Sequence, residues 1–296
     1  MTDLLEHHNL RHKDQDYAQS IIKTQDDFDI WYQNVSGKDF IFRGQVHAKY
    51  KNFSSGQRKW IQDPNLMDKL GDDVDVYTDY ITKLISKCRG WEDGIIEKYL
   101  GKDCDLVSDL MLLSIMQHYG VPTPLIDFTY DINVALYFAC SNNKSFTRTD
   151  SIDDYMSVYF INFKKNDNRI IKLSDNPKLK FKSYKELASL KKLILIDKDK
   201  SILYSNLNII AQKGILLLNY HPWKYLGGLS TNYKIANGKI DVKIELPELS
   251  NNIPVLYHIN CADIHKNLVP YIKAEYLNHL NNLFPKYEEL ANFLRG

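Results

Sequence analysis

The sequence predicts a single α+β domain, with a helix-rich first half and a mixed or antiparallel sheet in the second half. Apolar residues at helical spacing, such as Ile132, Ala135 and Leu136, characterise the chain up to about residue 140. Short β-rich segments separated by turn residues follow in the second half. The 296 residues contain no repeat and no low-complexity linker, which favours one domain over residues 17–296 behind a flexible tail, residues 1–16.

Composition limits the class of protein. Hydrophobic residues make up 44% of the chain and charged residues 25%, as in ordinary soluble globular proteins. The net charge of +1 argues against nucleic-acid binding through bulk charge and leaves a local basic patch as the alternative. No apolar run reaches the roughly 18–20 residues of a membrane span, and no secretory signal is visible. We therefore expect a cytoplasmic protein with no membrane partner.

The cysteines give no sign of a metal site. Cys88, Cys104, Cys140 and Cys261 lack the CxxC spacing of a zinc knuckle. Without an export signal they are predicted to be reduced thiols. The acidic residues are also not clustered at the spacing of metal ligands, so no metal is predicted and a nuclease is disfavoured.

Local sequence signals predict the first helices and strand of the domain. Thr24 followed by Asp27 is a capping pattern that predicts a helix start. A short strand is predicted over residues 40–42. Residues 46–63 are predicted to be loop, and a long helix is predicted over about 64–88.

The run 110–140 is the densest signal in the chain. We interpret it as an apolar helix, a loop rich in Pro and Gly, and a second apolar helix. Gly120 followed by Pro122 stops the first helix, and Asp131 can cap the second. Polar residues between two buried elements predict either a site or a turn.

The second half is predicted to be mainly sheet. Apolar and β-branched runs between turn residues predict strands, and Asn237-Gly238 predicts a type I′ hairpin turn. The predicted strands are residues 157–163, 169–173, 193–196, 214–218 and 255–259, and the predicted helices are residues 184–193, 262–282 and 285–295.

Arg43 and Gly44 follow the first predicted strand and form the first candidate site. The guanidinium of Arg43 is a planar fork of donors suited to phosphate or carboxylate, and Gly44 would let the backbone approach a ligand closely. The alternative is a surface arginine paired with an acid beside a turn glycine.

Four polar residues of the central run are further candidates: Gln117, His118, Asp127 and Thr129. Gln117 and His118 are expected in the last turn of a helix, facing the cavity that the loop closes. Asp127 follows two apolar residues, so it is expected to be either a desolvated base or electrostatic stabiliser, or the partner of an arginine. A helix-end imidazole, a turn acid and a capping hydroxyl are the structural alternatives.

Gln212 stands before Lys213-Gly214 at the entrance to an apolar strand. There its amide could hold a ribose hydroxyl or a nicotinamide-like amide. Ordinary hydrogen bonding at a strand edge is the alternative.

Several of these motifs together resemble the FRG domain family, which is named for its Phe-Arg-Gly. They are FRGQ at 42–45, which includes Gln45, MQHYGVPTPLIDFT at 116–129, NVALYFA at 133–139, AQKG at 211–214 and NNLFPKYEELANFL at 281–294. The resemblance therefore spans about residues 20–295. Where the family usually has Arg after Pro-Thr and Trp before the Thr, this chain has Pro124 and Phe128. Many FRG proteins look like bacterial or phage-defence-associated proteins, so the resemblance implies that setting.

A second resemblance is to ADP-ribosyltransferases, which place Arg-Gly at the end of a first strand and a Ser-Thr-Ser-like segment before a helix. This chain offers Arg43-Gly44, then residues 127–129, then residues 133–139 in the same order. The resemblance implies an ADP-ribosyltransferase-like core that binds NAD as a substrate.

The same resemblance implies roles for single residues. Arg43 would hold the phosphate or ribose of NAD, Thr129 would brace the nicotinamide ribose, and Gln212 would stand at the third catalytic position. Cleavage of the nicotinamide bond builds oxocarbenium charge, which a carboxylate stabilises better than a neutral amide. Asp127 is therefore expected to supply that charge.

Two hypotheses remain open from the sequence. In the first, the chain binds an NAD-like nucleotide and transfers ADP-ribose to a macromolecular acceptor or to water, with Arg43, Asp127 and Gln212 as catalytic residues. Its nucleotide contacts would be Arg43, Gly44, Gln45, Gln117, His118 and Thr129. In the second, the chain is a non-catalytic sensor or interaction module, and the same residues serve the structure.

Overall fold

The computed structural model describes residues 18–37, 39–63, 74–90, 107–141, 151–162, 170–197, 207–222, 226, 232–236, 239–243 and 259–280. These residues form the α+β domain that the sequence predicts. The predicted tail over residues 1–16, the helix start at residue 64 and the last helix over residues 285–295 lie outside the described residues.

The strands come from both halves of the chain. They are β1 (Ala18–Ile22), β2 (Phe40–Gln45), β3 (Leu125–Thr129), β4 (Tyr155–Asn162), β5 (Ile170–Lys172), β6 (Leu193–Ile196), β7 (Gly214–Leu218), β8 (Asn232–Ala236), β9 (Lys239–Lys243) and β10 (Ile259–His265).

Eight of these strands form one mixed sheet, in the order β1-β10-β4-β2-β3-β7-β6-β5. The outer pairs β1/β10 and β5/β6 are parallel, and the strands between them pair antiparallel. Strands β8 and β9 pair with each other, with Ala236 opposite Lys239, as the Asn237-Gly238 hairpin signal predicts. The centre of the sheet is the pair β2/β3, which carries most of the predicted site residues.

The helices lie mostly in the first half. They are α1 (Gln25–Val35), α2 (Ser55–Gln62), α3 (Val74–Arg89), α4 (Asp109–His118), α5 (Ile132–Cys140), α6 (Tyr184–Ser189), α7 (Leu207–Ala211) and α8 (Val269–Tyr276). Local caps fix several starts, since Thr24 caps α1, Ser108 caps α4 and Asp131 caps α5 through side-chain oxygens. The predicted caps at Thr24 and Asp131 are confirmed.

Two separate hydrophobic cores cover one face of the sheet, which we call the helix face. The first packs α2, α3, α4 and α6 against Leu125, Leu216 and Leu218. The second packs α1, α5 and α8 against Phe42 and Val158. Because residues on one strand alternate between faces, Asp127 shares the helix face with Leu125 but belongs to neither core. The carboxylate of Asp127 therefore lies at the boundary between the two cores.

The opposite face of the sheet carries a third core. Ile41, Ile126, Phe128, Tyr159 and Leu217 are among its buried members. Arg43 is the direct cross-strand neighbour of Tyr159 in this core, so its side chain leaves β2 on the opposite face.

Three segment predictions are wrong. Residues 125–129 are not a loop but β3, a central strand that is buried on both faces except at Asp127, so its apolar residues do not alternate regularly with polar ones. Residues 55–62 are not a loop but α2, whose start is a capping box between Ser54 and Gln57. The predicted helix over residues 262–282 begins as part of β10, and only Val269–Tyr276 is α-helical.

Within the part of the chain that the structure describes, no helix is both long and apolar enough to cross a membrane. The cytoplasmic location stays a prediction.

Candidate functional site

The site lies where β2 and β3 separate. β2 pairs with β4 over its whole length, whereas its register with β3 consists of one pair, Phe42 with Thr129. Beyond that pair, Arg43 fills the opening between the strands. Its Nη1 donates a hydrogen bond to the main-chain oxygen of Asp127, at 2.8 Å. Arg43 therefore takes the place of a strand-to-strand hydrogen bond.

Gly44 is required by the packing of α5. A Cβ atom at this position would stand 1.8 Å from the main-chain oxygen of Ala135 and 2.8 Å from the nitrogen of Ala139. Because main chain cannot move aside as a flexible side chain can, any larger residue would push α5 off the sheet. The glycine thus has a structural role that also fixes the position of Arg43, and a contact of Gly44 with a ligand stays a prediction.

The carboxylate of Asp127 is exposed to solvent on the helix face and is held by Gln117 at the end of α4. The Nε2 of Gln117 donates to Oδ2 of Asp127 at 2.9 Å. The Oε1 of Gln117 accepts a short hydrogen bond from the hydroxyl of Thr123, and the hydroxyl of Ser55 lies 3.4 Å away. Since both ends of the amide have partners, its orientation is fixed and it presents a donor to Asp127.

The segment before β3 is tied to the start of α2. The nitrogen of Gly56 donates to the main-chain oxygen of Thr123 at 2.7 Å, and the nitrogen of Thr123 donates to the hydroxyl of Ser55 at 3.0 Å. A Cβ at Gly56 would meet the Tyr77 hydroxyl at 2.7 Å and the oxygen of Thr123 at 2.8 Å. These contacts hold α2 against β3 and thereby place Arg58 beside the site.

Arg58 brings a second cation next to Arg43. Its Nη1 donates to the main-chain oxygen of Phe53 at 2.9 Å. Burial lowers the pKa of Arg58 from its ordinary value, the charge of Arg43 lowers it further, and Asp127 opposes the change. Burial likewise lowers the pKa of Arg43, against the effect of Asp127 and Tyr159. The two guanidinium groups and the one carboxylate are thus close enough to influence one another.

We call Arg43, Arg58, Gln117 and Asp127 the Arg43 cluster. Within the described residues, the recorded ion pairs include neither arginine. Arginine remains protonated at any physiological pH, so the cluster holds two positive charges and one negative charge. The Nε of Arg43 is also buried, and it has no hydrogen-bond partner among the residues that the structure describes. Guanidinium forks with unused donors are the usual protein partners of phosphate and carboxylate groups.

Thr129 and Gln212 meet at the other end of β3. The hydroxyl of Thr129 donates to the main-chain oxygen of Gln212 at 2.7 Å and accepts from the nitrogen of Asp131 at 3.0 Å. Asp131 in turn forms an ion pair with Lys213 at 2.7 Å. The Thr129 hydroxyl therefore caps the backbone nitrogen of Asp131 and also joins β3 to the segment before β7. The contact joins Thr129 to the backbone of Gln212, and the role of the Gln212 amide in a site stays a prediction.

The remaining predicted residues lie around the cluster. His118 ends α4 next to Gln117, and its ring stands edge-on to that of Tyr119 at 5.0 Å. Gln45 lies two residues beyond Arg43 on the opposite face, and its buried Oε1 has no partner in the described part of the chain. Of the predicted site residues, the structure brings Arg43, Gln117 and Asp127 together, and their roles in a site stay predictions.

Sequence reasoning missed Arg58, Ser55 and Thr123. The signal was available for the first two, because Ser54 followed by Gln57 is a capping-box pattern that places both residues on a helix. Which strand this helix would face could not be read from the sequence, since the contact joins residues 55 and 123.

No group of three or more His, Cys, Asp or Glu side chains in the described residues is arranged to hold a metal ion. Cys140 is a buried free thiol. Burial raises the pKa of Cys140 to about 12, so this thiol stays protonated and unreactive at neutral pH.

Comparison with known proteins finds a family model that matches part of the chain. Residues 38–148 match the family model of the FRG domain. The match covers β2, α2, α4, β3 and α5, which are the elements that build the Arg43 cluster. No curated protein and no solved structure matches the chain.

Proposed function

We propose that this protein binds a nucleotide of the NAD type through the Arg43 cluster. The observation that carries the proposal is the pair Arg43 and Arg58, two neighbouring guanidinium groups for which the described residues supply no ion-pair partner. A diphosphate would neutralise both charges. It would also accept hydrogen bonds from the guanidinium N–H groups that do not bond to the backbone.

Electrostatics favours an anion over a neutral ligand. Two like charges in a partly buried place repel each other, and their repulsion adds to the cost of removing them from water. Asp127 offsets a part of this charge through space, but its carboxylate is bonded to Gln117 rather than to either arginine. A bound phosphate would offset the remainder.

The position of Asp127 supports ADP-ribose chemistry as the reaction of the bound nucleotide. In that reaction the bond between nicotinamide nitrogen and ribose C1 breaks, and nicotinamide leaves with the electron pair. A water or an acceptor hydroxyl then attacks C1 and loses its proton. The carboxylate of Asp127, held by Gln117, would stabilise the oxocarbenium charge on the ribose.

Arg58 is consistent with the family pattern. Where the family usually carries an arginine, this chain has Pro124. The helix α2 that carries Arg58 is bonded to the adjacent Thr123 through its first two residues. We infer that Arg58 supplies from α2 the cation that is missing from the loop.

A non-catalytic interaction module is the second candidate function, and one observation favours it. Arg43 joins β2 to β3 by a hydrogen bond, and the absence of a side chain at Gly44 lets α5 pack against β2. The Phe-Arg-Gly motif therefore has a structural explanation that needs no ligand. In that case Arg43 would be retained for the fold alone.

The test is a calorimetric titration of NAD into the pure protein, together with a measurement of free nicotinamide over time. We expect saturable binding that is lost when Arg43 and Arg58 are both replaced by Gln. Binding without nicotinamide release would support a nucleotide-binding sensor. Absence of any binding by a folded protein would refute the nucleotide proposal and support the module.

The setting that the family resemblance implies, bacterial phage defence, is a proposal that can be tested separately. Bacterial cells that express the chain should show fewer phage plaques than cells with an empty vector. An Asp127→Asn variant should lose this protection if the reaction of the nucleotide is responsible.

A further inference from the structure

A buried carboxamide lies one residue before Phe53, whose main-chain oxygen accepts from Arg58 of the Arg43 cluster. Asn52 is 1% exposed, and neither its Oδ1 nor its Nδ2 has a hydrogen-bond partner among the described residues. Of the nine buried side-chain atoms without a partner in the described residues, four belong to residues 43–52. They are the Nε of Arg43, the Oε1 of Gln45 and both polar atoms of Asn52.

The backbone around Asn52 is fixed from both sides by the neighbours of Arg43. The main-chain oxygen of Tyr50 accepts from the hydroxyl of Tyr159 at 3.1 Å, and Tyr159 is the cross-strand partner of Arg43. The main-chain oxygen of Phe53 accepts from Arg58 at 2.9 Å. Asn52 therefore lies on a short segment that is anchored before it by Tyr159 and after it by Arg58.

The main chain of Asn52 has its own partner, because its oxygen accepts from the nitrogen of Leu226 at 3.2 Å. Only the side-chain amide of Asn52 lacks a hydrogen-bond partner among the described residues. A buried amide that satisfies neither donor nor acceptor is costly and rare in folded proteins, so its presence calls for a partner that binds there.

We propose that Asn52 recognises the base or carboxamide end of the nucleotide that the Arg43 cluster holds by its phosphates. This inference rests on the proposed function. It adds which part of the ligand, beyond its phosphates, the protein recognises. A carboxamide offers one donor beside one acceptor, and its natural complement is a group with the same pair in reverse. The carboxamide of nicotinamide and the amino edge of adenine both present such a pair.

Gln45 and Arg43 extend the same recognition surface. Gln45 contributes an acceptor and Arg43 a donor, each buried and each without a partner among the described residues. Both side chains leave β2 on the opposite face, two residues apart. The surface thus combines donors and acceptors, which suits a polar base better than a purely apolar or purely anionic group.

The experiment compares three ligands that share a phosphate: nicotinamide mononucleotide, AMP and ribose 5-phosphate. We expect at least one of the two base-bearing nucleotides to bind about tenfold or more tightly than ribose 5-phosphate, because a site built to hydrogen-bond a group rejects a ligand that lacks it. In Asn52→Ser this ratio should fall towards one, while the affinity for ribose 5-phosphate stays unchanged. Tighter binding of nicotinamide mononucleotide would identify the carboxamide as the recognised group. Tighter binding of AMP would identify the adenine.

Asn219→Ser is the matched control. Asn219 is also buried, at 3% exposure, but its Oδ1 accepts from the nitrogen of His221. This variant should lose stability and keep the ligand ratio. Asn52→Leu provides a second variant with the same number and branching of side-chain heavy atoms, in which the ratio should be lost while thermal stability rises, because the unsatisfied amide is gone.

Three results would overturn the inference. The first is a ratio that persists in Asn52→Ser and Asn52→Leu, and the second is equal binding of all three ligands by the unaltered protein. In both cases binding of ribose 5-phosphate would leave the proposed function standing. The third is a failure of all three ligands and of pyrophosphate to bind, which would refute the proposed function together with this inference.

Discussion

The guanidinium of Arg43 is hydrogen-bonded to the main-chain oxygen of Asp127, at 2.8 Å, while the carboxylate of Asp127 is bonded to Gln117. The two best-predicted site residues are therefore neighbours without being an ion pair. Arg43 supports the sheet with one of its donors, and the carboxylate remains exposed on the helix face. This arrangement lets one residue serve the fold and still keep donors for an anion.

Gly44→Ala should destabilise the protein strongly. The added Cβ would stand 1.8 Å from the main-chain oxygen of Ala135, and overpacking of this kind costs about 1–3 kcal/mol or more in the free energy of unfolding. Urea denaturation measures the effect. Gly90→Ala is the control, because its Cβ would lie at an ordinary 3.6 Å from the oxygen of Ser86. Equal midpoints for both variants would show that α5 does not pack on β2 as described.

Asp127→Asn should separate binding from chemistry. Loss of the negative charge beside Arg43 and Arg58 should strengthen pyrophosphate binding, because the site becomes more positive. The same variant should abolish nicotinamide release if the carboxylate stabilises the reacting ribose. Calorimetry and a nicotinamide assay on the same preparation measure both effects. Weaker pyrophosphate binding in this variant would contradict the assignment.

Gln117→Glu should weaken both the local structure and the anion site. The new carboxylate would stand about 3 Å from Asp127, where two like charges raise the pKa of one of them. It would also replace the donor that now orients Asp127. We expect a loss of stability of about 0.5–1.5 kcal/mol, the net contribution of a typical hydrogen bond, and reduced pyrophosphate affinity.

The control for this change is Gln62→Glu, which adds the same charge at an exposed position of α2. Its stability should stay within about 0.5 kcal/mol of the unaltered protein. If Gln117→Glu is equally mild, then the Gln117–Asp127 hydrogen bond contributes nothing to the site.

His47 should make stability depend on pH. Burial lowers the pKa of His47 below 6.5, Lys266 and Lys49 lower it further, and Asp153 opposes them. Its Nδ1 lies 3.1 Å from the Nζ of Lys266. In the unfolded chain His47 takes up a proton below about pH 6.5, whereas the folded protein resists it to a lower pH. The unfolded state then binds more protons, so stability falls as the pH drops below 6.5.

Denaturant midpoints at pH 7.5 and 5.5 test this prediction. The drop between the two values should be smaller in His47→Gln than in the unaltered protein. His279→Gln, which changes an exposed histidine three residues beyond α8, should keep the full drop. The assignment fails if both variants behave alike.

The sequence predicted the class of fold and three members of the site, but not the way they are joined. Arg43 and Asp127 stand in short motifs that a single sequence displays. Strand β3 was not recognised because all its residues except Asp127 are buried, and because it follows two prolines, which are typical of a loop. The contribution of Arg58 depends on the packing of α2 against Thr123, and contacts between distant residues are not encoded in local periodicity.

Asn52 is a further residue whose role could not be predicted from the sequence. In the sequence it is one polar residue in a predicted loop. Only the burial of its side chain, together with the lack of a partner for both amide atoms, distinguishes it from a surface asparagine.

The most direct test of the central claim is the affinity of pyrophosphate for Arg58→Gln and for Lys59→Gln. The two residues are adjacent on α2, but Arg58 is half-buried beside Arg43 and Lys59 is exposed. We predict that Arg58→Gln binds pyrophosphate about tenfold or more weakly, in line with ~1.5–3 kcal/mol for a hydrogen bond to a charged group, and that Lys59→Gln binds it normally. Equal affinity of both variants and the unaltered protein would show that the Arg43 cluster is not an anion site.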